Sequence, residues 1–483
     1  MPQHRTEEDN ESAGRAKVAV AYRTPAMEYW RQRHDPDRSM KRAVLASLIG
    51  ATLEWYDFIL YGVVAGIVLN RLFFPAEDAF VSTLLAYATF AVGFVARPVG
   101  GIVCGHFGDR IGRKSMLVLT MLVMGVATVA MGLLPTYEQI GIAAPLLLLA
   151  LRVLQGLALG GEWGGGVLMA YEHAPPGRRG LYASIPQVGL AIGLCLASGV
   201  VGLMSSLLTE AQFLAWGWRV GFIASIALVA VGLYVRLAVA ETPAFTQARS
   251  SGPTIAVPLV ELLRRHPGSV LLGMGARYVE GVFFNVFAVF SIAYLATVIG
   301  FSRTQALWAV SSAALAMVFT IPLFGALSDR LGRPAIYAAG SLLLVLCVFP
   351  AFMAFHTGNA AVIYAAMIVA FGILYAVCYG PEAALFSDLF PTGVRYTGVS
   401  FVYQVSGVFA SGITPLVATW LFEAGGHEPW LICAYVAFAG LVSTASALLI
   451  GRRRLQPELV ADHARATATA ESSPHAPSAR SAR

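Results

Sequence analysis

Twelve long apolar runs constrain this chain more than any other feature of its sequence. Each has about the 20 residues that an α-helix needs to cross a roughly 30 Å hydrocarbon core. Of the 483 residues, 57% are hydrophobic and 12% are charged, whereas soluble domains carry about 25% charged residues. We therefore predict an all-α integral membrane protein with twelve transmembrane helices. The runs lie at 42–70, 80–103, 115–134, 142–171, 181–206, 215–240, 270–299, 305–327, 335–356, 360–386, 397–422 and 430–451.

The positions of lysine and arginine predict the orientation of these helices. Of those outside the runs, 26 fall in the two tails and in alternate loops, and the opposite loops hold only Arg71 and Arg303. Cytoplasmic loops carry the excess of positive charge in membrane proteins. We therefore expect an even number of helices with both termini cytoplasmic. The net charge of +6 is explained by this topology, so no nucleic-acid partner is expected.

The chain also contains an internal repeat. The loop GHFGDRIGRK (105–114) recurs as GALSDRLGRP (325–334), each after the second run of its half, and Gln187-Val188 recurs as Gln404-Val405. Two six-helix halves with the same orientation are typical of transporters built from parallel repeats. The predicted organisation is a disordered cytoplasmic N-tail at 1–40, a first half at 41–240, a cytoplasmic connector at 241–269, a second half at 270–452 and a disordered cytoplasmic C-tail at 453–483.

Several motifs are absent, and their absence narrows the function. The five cysteines fall in or beside apolar runs without a CxxC pair, and no histidine lies in the middle of a run. No GxxxxGK[ST] loop is present, so ATP hydrolysis is not expected to supply the energy. We predict no cofactor, no metal site and no enzymatic activity.

Ionisable residues inside a membrane are costly, and they commonly mark functional sites. Glu54 and Asp57 share one helical face with Tyr61, and we expect that face to line an aqueous cavity. Arg152 lies about 15 Å into run 4 and Glu54 about 18 Å into run 1, at 1.5 Å per residue. The sequence permits either a permanent ion pair or a carboxylate whose proton affinity depends on solute or on Arg152.

Further polar residues could reach the same cavity or could stabilise helix packing. Arg97, beside Pro98, lies towards the cytoplasmic end of run 2 and is expected to extend its charge to the membrane surface. The remaining candidates for solute or proton binding are Gln187, Arg277, Glu280, Asn285, Tyr375, Tyr379, Glu382, Tyr403 and Gln404.

The repeated loop resembles that of the major facilitator superfamily. Run 1 reads GATLEWYDFILYG (50–62), run 4 reads RVLQGLALGGEWGG (152–165), and FPTGVRYTG (390–398) follows run 10. Together these motifs resemble the metabolite:proton symporter family, which includes permeases for shikimate, α-ketoglutarate, citrate and proline or glycine betaine. The resemblance covers about residues 40–450.

The resemblance implies roles for individual residues. Asp109 and Arg113 match the acidic and basic positions of a cytoplasmic latch, with Glu162 as its third member, and Arg152 matches an arginine linked to proton coupling. Asp329 and Arg333 occupy the latch positions of the second loop. That loop departs from the pattern at Pro334, where the first loop has Lys114, and the departure weakens the case for a symmetric second latch.

The sequence thus predicts a secondary active transporter that takes up a small organic acid or zwitterion with protons by alternating access. Its expected partners are the solute, protons and the lipid bilayer, as a monomer in a bacterial inner membrane. An efflux antiporter or an uncoupled facilitator of the same fold is an alternative, and a solute-binding membrane sensor is an alternative of another class. The sequence does not identify the solute.

Overall fold

A computed structural model describes residues 36–75, 78–111, 113–160, 162–175, 177–238, 258–391 and 394–452. Within these ranges only the backbone is described at 36–39, 42–43, 105–111, 113–117, 235–238 and 258. Most of both predicted tails and much of the connector therefore lie outside the described residues.

Twelve long helices, α1–α12, follow the order of the twelve apolar runs in the described part of the chain. All except α3 are long and apolar enough to cross a bilayer, and α3 contains a shorter apolar stretch, Val118–Leu133. The prediction of an all-α membrane fold is confirmed. The helices are α1 Val44–Leu72, α2 Ala79–Cys104, α3 Arg113–Leu133, α4 Ala143–His173, α5 Arg179–Leu207, α6 Glu210–Tyr234, α7 Pro267–Thr297, α8 Arg303–Leu331, α9 Arg333–His356, α10 Ala360–Asp388, α11 Arg395–Ala424 and α12 Trp430–Arg452.

Capping residues fix where several helices begin. Thr209 accepts a hydrogen bond from the backbone N–H of Gln212 at 3.3 Å, so α6 begins five residues before its apolar run. Ser302 accepts the equivalent bond from Gln305 at the start of α8, at 3.2 Å. Each cap satisfies a backbone N–H that has no partner within its own helix.

Local irregularities interrupt several of the regular helices. Helix α4 consists of two pieces, Ala143–Leu159 and Trp163–His173. At Gly160 a Cβ atom would lie 2.1 Å from the backbone oxygen of Arg97, so only glycine allows α2 and α4 to approach this closely. Helices α1 and α7 each contain a π-helical turn at matching positions of the repeat, Ala65–Leu69 and Val286–Phe290.

Helices from the two halves, α1–α6 and α7–α12, pack directly against each other. Helix α5 packs against α8 and α10, and α11, its counterpart in the repeat, packs against α2 and α4. We call the side that carries 105–114 and 325–334 the loop face, and the other side the opposite face. Between the halves, a cavity of about 950 Å³ opens at the opposite face.

Candidate functional site

A chain of four buried side chains joins α1, α3 and α4. The Thr128 hydroxyl lies 3.0 Å from Asp57 Oδ2 and accepts a hydrogen bond of 2.9 Å from Gln155 Nε2. Arg152 Nη1 donates to Gln155 Oε1. All four residues are at most 2% exposed. A carboxylate and a guanidinium are therefore connected through two neutral side chains rather than by a direct ion pair.

Arg152 is held on its other sides by α1 and α2. Its guanidinium carbon lies 4.0 Å from the centroid of the Tyr61 ring, and its Nη2 donates to the backbone oxygen of Phe90 at 3.3 Å. A Cβ atom at Gly93 would lie 2.7 Å from the same Nη2. Glycine at this position therefore leaves the space that the guanidinium occupies, and the structure brings Asp57, Tyr61 and Arg152 together.

The face of α1 that carries Glu54 and Asp57 is buried. Both carboxylates are 2% exposed and Tyr61 is fully buried, so the prediction that this face lines an aqueous cavity is wrong for this conformation. The cause is the packing of α2, α3 and α4 against this face, where Tyr61 hydrogen-bonds Thr89, Thr128 contacts Asp57 and the Arg152 guanidinium lies over the Tyr61 ring. No ion pair within 4 Å joins Arg152 to Glu54 or Asp57, all three of which the structure describes.

The position of the Arg97 side chain differs from the one predicted. Its side chain is 2% exposed and does not extend to the membrane surface. The guanidinium carbon lies 4.4 Å from the ring centroid of Phe58 and 4.6 Å from that of Phe94. Because α2 packs against both α4 and α11 at this level, Arg97 is enclosed between the two halves.

The second half contains a different arrangement of charges. Arg277 Nη2 lies 3.6 Å from Glu280 Oε2, and Arg277 Nε lies 3.8 Å from Glu382 Oε1. Tyr375 donates a hydrogen bond of 2.6 Å to the other oxygen of Glu280. These four side chains are at most 1% exposed. One guanidinium therefore lies between two buried carboxylates.

An aromatic stack links this cluster to the first half. The Arg277 guanidinium carbon lies 3.8 Å from the ring centroid of Tyr403 on α11. Trp163 on α4 stacks on Tyr403 with its ring centroid 3.5 Å away and the two planes 10° apart. A displacement of either half would disturb the side chain that covers Arg277.

Gln187 and Gln404 occupy equivalent positions and make equivalent contacts between the halves. Gln187 Nε2 donates to the backbone oxygen of Tyr379 on α10 at 2.8 Å, and Gln404 Nε2 donates to that of Gly160 on α4 at 3.0 Å. Longer contacts of 3.4 Å reach Gly380 and Leu159, respectively. Both glutamines therefore bond backbone of the other half instead of facing the open cavity.

The second loop joins the halves at the loop face. The Asp329 carboxylate accepts hydrogen bonds from the backbone N–H groups of Gly180 at 2.7 Å and Leu181 at 3.0 Å, at the start of α5. A carboxylate is favoured at a helix N-terminus. Arg333 pairs with Asp329 at 3.2 Å and with Asp388. The departure at Pro334 therefore does not prevent contact between the halves.

The first loop cannot be compared side chain by side chain. The side chains of Asp109 and Arg113 lie outside the described residues. Glu162, the third predicted member of that latch, is 4% exposed and lies at the break in α4. Its latch role stays a prediction.

At the opposite face, the cavity mouth carries the two arginines that the sequence assigns to that side. Arg71 Nη1 lies 3.0 Å from Glu210 Oε1, and Arg303 Nη2 lies 3.4 Å from the same oxygen. All three residues line the cavity. Since Arg303 belongs to α8, this exposed cluster connects the two halves.

The sequence analysis missed Thr128 and Gln155. Gln155 follows Arg152 by three positions and so shares its helical face, which was an available signal. Thr128 is one polar residue in an apolar run, where packing alone would explain it. Within the described ranges, no group of three His, Cys, Asp or Glu side chains is placed to hold a metal ion.

Comparisons with known proteins give a consistent result. A family model described as Sugar (and other) transporter matches residues 43–252, and one described as Major Facilitator Superfamily matches residues 279–478. The inner membrane metabolite transport protein YhjE of Escherichia coli (strain K12) is 41% identical over 81% of this chain and 90% of that protein. The shikimate transporter of the same organism is 39% identical over 85% of this chain and 94% of that protein.

A solved structure shares the fold. The major facilitator superfamily proton:xylose symporter XylE, bound to 6-bromo-6-deoxy-D-glucose, superposes with a TM-score of 0.69 over 88% of this chain and 99% of that one. The two sequences are 19% identical, so this similarity concerns the fold alone.

Proposed function

The chain belongs to the major facilitator superfamily, among its metabolite transporters, and we propose that it is a proton-coupled symporter of a small organic acid or zwitterion. The relatives are transporters and not enzymes. Coupling requires a group that binds a proton when it faces one side of the membrane and releases it on the other. The described histidines lie at helix ends or in loops, so carboxylates are the available groups.

The observation that carries this proposal is the chain from Asp57 through Thr128 and Gln155 to Arg152. A charged carboxylate removed from water is costly, and Asp57 Oδ2 faces a neutral hydroxyl instead of a cation. That hydroxyl, of Thr128, lies 3.0 Å from Asp57 and equally far from the backbone oxygen of Met124, so it can donate to either. A proton on Asp57 would remove that cost and change which hydrogen bonds Thr128 and Gln155 make. The Arg152 guanidinium would then change position, since Gln155 Oε1 is one of its acceptors. Protonation and the position of the guanidinium are linked in this way.

The energy available is sufficient for uptake. One proton that crosses 100 mV releases about 2.3 kcal/mol, and about 1.4 kcal/mol corresponds to a tenfold ratio. One proton per solute therefore supports an accumulation of roughly 40-fold.

The proposed direction follows from the cavity and from the predicted orientation. If both termini and the loop face are cytoplasmic, the cavity of about 950 Å³ opens to the outside. A state that opens to the outside can load solute there, as uptake requires. Cysteine labelling tests this orientation: a probe at Glu428 should react from outside intact cells, and one at Arg178 should not.

We also propose that the predicted halves, 41–240 and 270–452, move relative to each other and that the two loops act as latches. Asp329 binds the start of α5. By the repeat, Asp109 should bind the start of α11, with Arg113 and Glu162 beside it. Both loops would then release together when the loop face opens.

The test uses purified protein in liposomes. A thermal-shift screen against small carboxylates first identifies a solute. Proton-driven uptake and solute counterflow are then measured for Asp57→Asn, Glu54→Gln and Arg152→Ala. Asp57→Asn or Glu54→Gln should abolish uphill uptake while counterflow continues, because translocation no longer requires a proton. Arg152→Ala should impair both activities, because it removes the group that responds to the carboxylate.

Glu261→Gln is the matched control. Glu261 lies in the connector helix Pro258–Arg265 and pairs with Arg265 at 3.5 Å, away from the buried chain. It should transport like wild type. If both Asp57→Asn and Glu54→Gln still concentrate solute as wild type does, the coupling proposal is wrong. Saturable binding without counterflow in the wild-type protein would indicate a sensor instead.

A further inference from the structure

We propose that Arg97 and Arg277 together bind the carboxylate group of the transported solute between the two halves. The inference rests on the proposed function in one respect, namely that the solute bears a carboxylate. It does not depend on proton coupling. Arg97 belongs to α2 and Arg277 to α7, so the site would contain one guanidinium from each half.

Both guanidinium groups are deeply buried, and two nitrogens of each lack a hydrogen-bond partner within the described ranges. Arg97 is 2% exposed and Arg277 is 1% exposed. Among the described residues, no hydrogen-bond partner is present for Nε and Nη2 of Arg97 or for Nε and Nη1 of Arg277. Buried donors without acceptors are rare and costly, and arginine cannot lose its charge to avoid the cost. These four N–H-bearing nitrogens could each donate to an acceptor, with Glu382 Oε1 already 3.8 Å from Arg277 Nε.

The two groups flank the same side chain, Phe94. The Arg97 guanidinium carbon lies 4.6 Å from the Phe94 ring centroid. Arg277 is also near this ring, because a Cβ atom at Gly407 would lie 3.5 Å from Phe94 Cδ1 and 3.6 Å from Arg277 Nη1. A ligand that displaces Phe94 could therefore contact both guanidinium groups.

The charges near Arg97 favour an anion. Arg277 already has Glu280 and Glu382 within 4 Å, but no carboxylate forms an ion pair of that length with Arg97 in the described part of the chain. A planar guanidinium matches a carboxylate through two parallel hydrogen bonds. A solute carboxylate would supply acceptors to Arg97 and would reduce the repulsion between the two arginines.

Arg152 is less suited to this role. Its Nη1 and Nη2 already donate to Gln155 and to the backbone of Phe90, which leaves only its Nε without a partner. Aromatic rings adjoin the proposed site on both sides, with Phe58 at 4.4 Å from Arg97 and Tyr403 at 3.8 Å from Arg277. An apolar wall with a few polar groups is typical of small-molecule sites, so the carbon skeleton of the solute would pack on these rings.

Equilibrium binding to the purified full chain tests the proposal at fixed pH, without a proton gradient. The probes are shikimate, α-ketoglutarate, citrate, proline and glycine betaine. Two analogues lack the carboxylate. Methyl shikimate carries an ester in place of the carboxylate of shikimate, and choline carries a hydroxymethyl group in place of the carboxylate of glycine betaine. We expect wild type to bind at least one carboxylate, and to bind the matching analogue much more weakly where one exists. Arg97→Gln should weaken carboxylate binding roughly 10- to 100-fold, as expected for lost hydrogen bonds to a charged group.

Arg97→Lys and Arg277→Lys keep the charge and lose the planar fork, so they should weaken binding less than Arg97→Gln. These two variants also test the proposal if Arg97→Gln does not give a monodisperse protein. Arg219→Gln is the matched control, because Arg219 donates to the backbone oxygens of Gly132 and Leu134 at 2.9 and 2.7 Å, outside the site. It should bind like wild type.

Three results would overturn the proposal. Folded Arg97 and Arg277 variants could bind the carboxylate as wild type does, methyl shikimate or choline could bind as tightly as its parent, or wild type could bind no carboxylate of the panel. A failure of proton coupling would leave these binding results unchanged, and it would appear only in the uptake assay. The two proposals can therefore fail separately.

Discussion

The two halves repeat each other in sequence, but their buried charges are organised differently. In α1–α6, Arg152 reaches Asp57 through the neutral side chains of Thr128 and Gln155. In α7–α12, Arg277 lies directly between Glu280 and Glu382 with ion-pair distances of 3.6 and 3.8 Å. Both carboxylate oxygens of Glu382 lack a hydrogen-bond partner among the described residues.

This difference assigns separate tasks to the halves under the proposals made above. A chain of neutral groups can change its hydrogen bonds when one proton is added, and no buried charge is left without a partner. A cluster of direct ion pairs responds to added charge, because a ligand anion competes with Glu280 and Glu382 for Arg277. The chain that ends at Arg152 is therefore suited to respond to the proton, and the cluster around Arg277, together with Arg97, to the solute.

The largest expected effect concerns stability. Arg277→Gln leaves two buried carboxylates without a cation, and removal of one partner of a buried pair costs about 3–5 kcal/mol. Arg152→Gln leaves neutral acceptors, whose loss of a partner costs about 1–3 kcal/mol. The free energies of unfolding, from reversible unfolding in mixed micelles, should therefore fall more for Arg277→Gln than for Arg152→Gln.

Arg219→Gln gives the baseline for this measurement, since its partners are backbone oxygens at the opposite face. An equal loss for the two buried variants, or a larger loss for Arg152→Gln, would show that the contrast between the halves does not govern stability.

The second effect is smaller and concerns coupling. Thr128→Val removes the hydroxyl between Asp57 and Gln155 at a cost of about 1–3 kcal/mol, and should reduce proton-driven uptake more than counterflow. Thr128→Ser keeps the hydroxyl and should retain coupling.

Tyr375→Phe removes the 2.6 Å hydrogen bond to Glu280 and should instead change solute affinity, measured as the half-saturating concentration in counterflow. If Thr128→Val and Tyr375→Phe affect uptake and counterflow alike, the division of tasks is incorrect.

Much of the fold could be predicted from local sequence. An apolar run of about 20 residues forms a helix in a bilayer because every backbone group must be satisfied internally, and run 7 at 270–299 corresponds to α7, Pro267–Thr297. The repeated loop and the paired glutamines were also visible, because they depend on one comparison along the chain. The π-helical turns Ala65–Leu69 and Val286–Phe290 were not, since no local pattern distinguishes them from α-helix.

The candidate site was less accessible to sequence reasoning, because burial depends on neighbouring helices. Arg97 was expected at the membrane surface from its position in run 2, yet the close contact at Gly160 and the rings of Phe58 and Phe94 enclose it. Similar depths were predicted for Glu54 and Arg152, and the structure connects Arg152 to Asp57 through two neutral side chains. Gln155 could have been chosen from its spacing to Arg152, but Thr128 could not, since it becomes significant only when α3 packs beside α1 and α4.

The smallest expected effect tests where the halves should behave alike. Gln187 and Gln404 each donate one hydrogen bond to the backbone of the other half, at 2.8 and 3.0 Å. Interhelical hydrogen bonds in membranes contribute about 0.6 kcal/mol on average, which is roughly a threefold change in an equilibrium constant. Gln187→Ala and Gln404→Ala should therefore each increase the population open at the loop face about threefold, and the double variant about tenfold if the two contacts are independent.

The alkylation rate of Ser387→Cys in a cysteine-free background measures that population, because Ser387 is fully buried near the loop-face end of α10. Gln305→Ala, at the cap of α8 on the opposite face, should leave the rate unchanged. If one glutamine alone accelerates labelling, the repeat is functionally asymmetric here too, and the contrast between the halves extends from their charges to the contacts that join them.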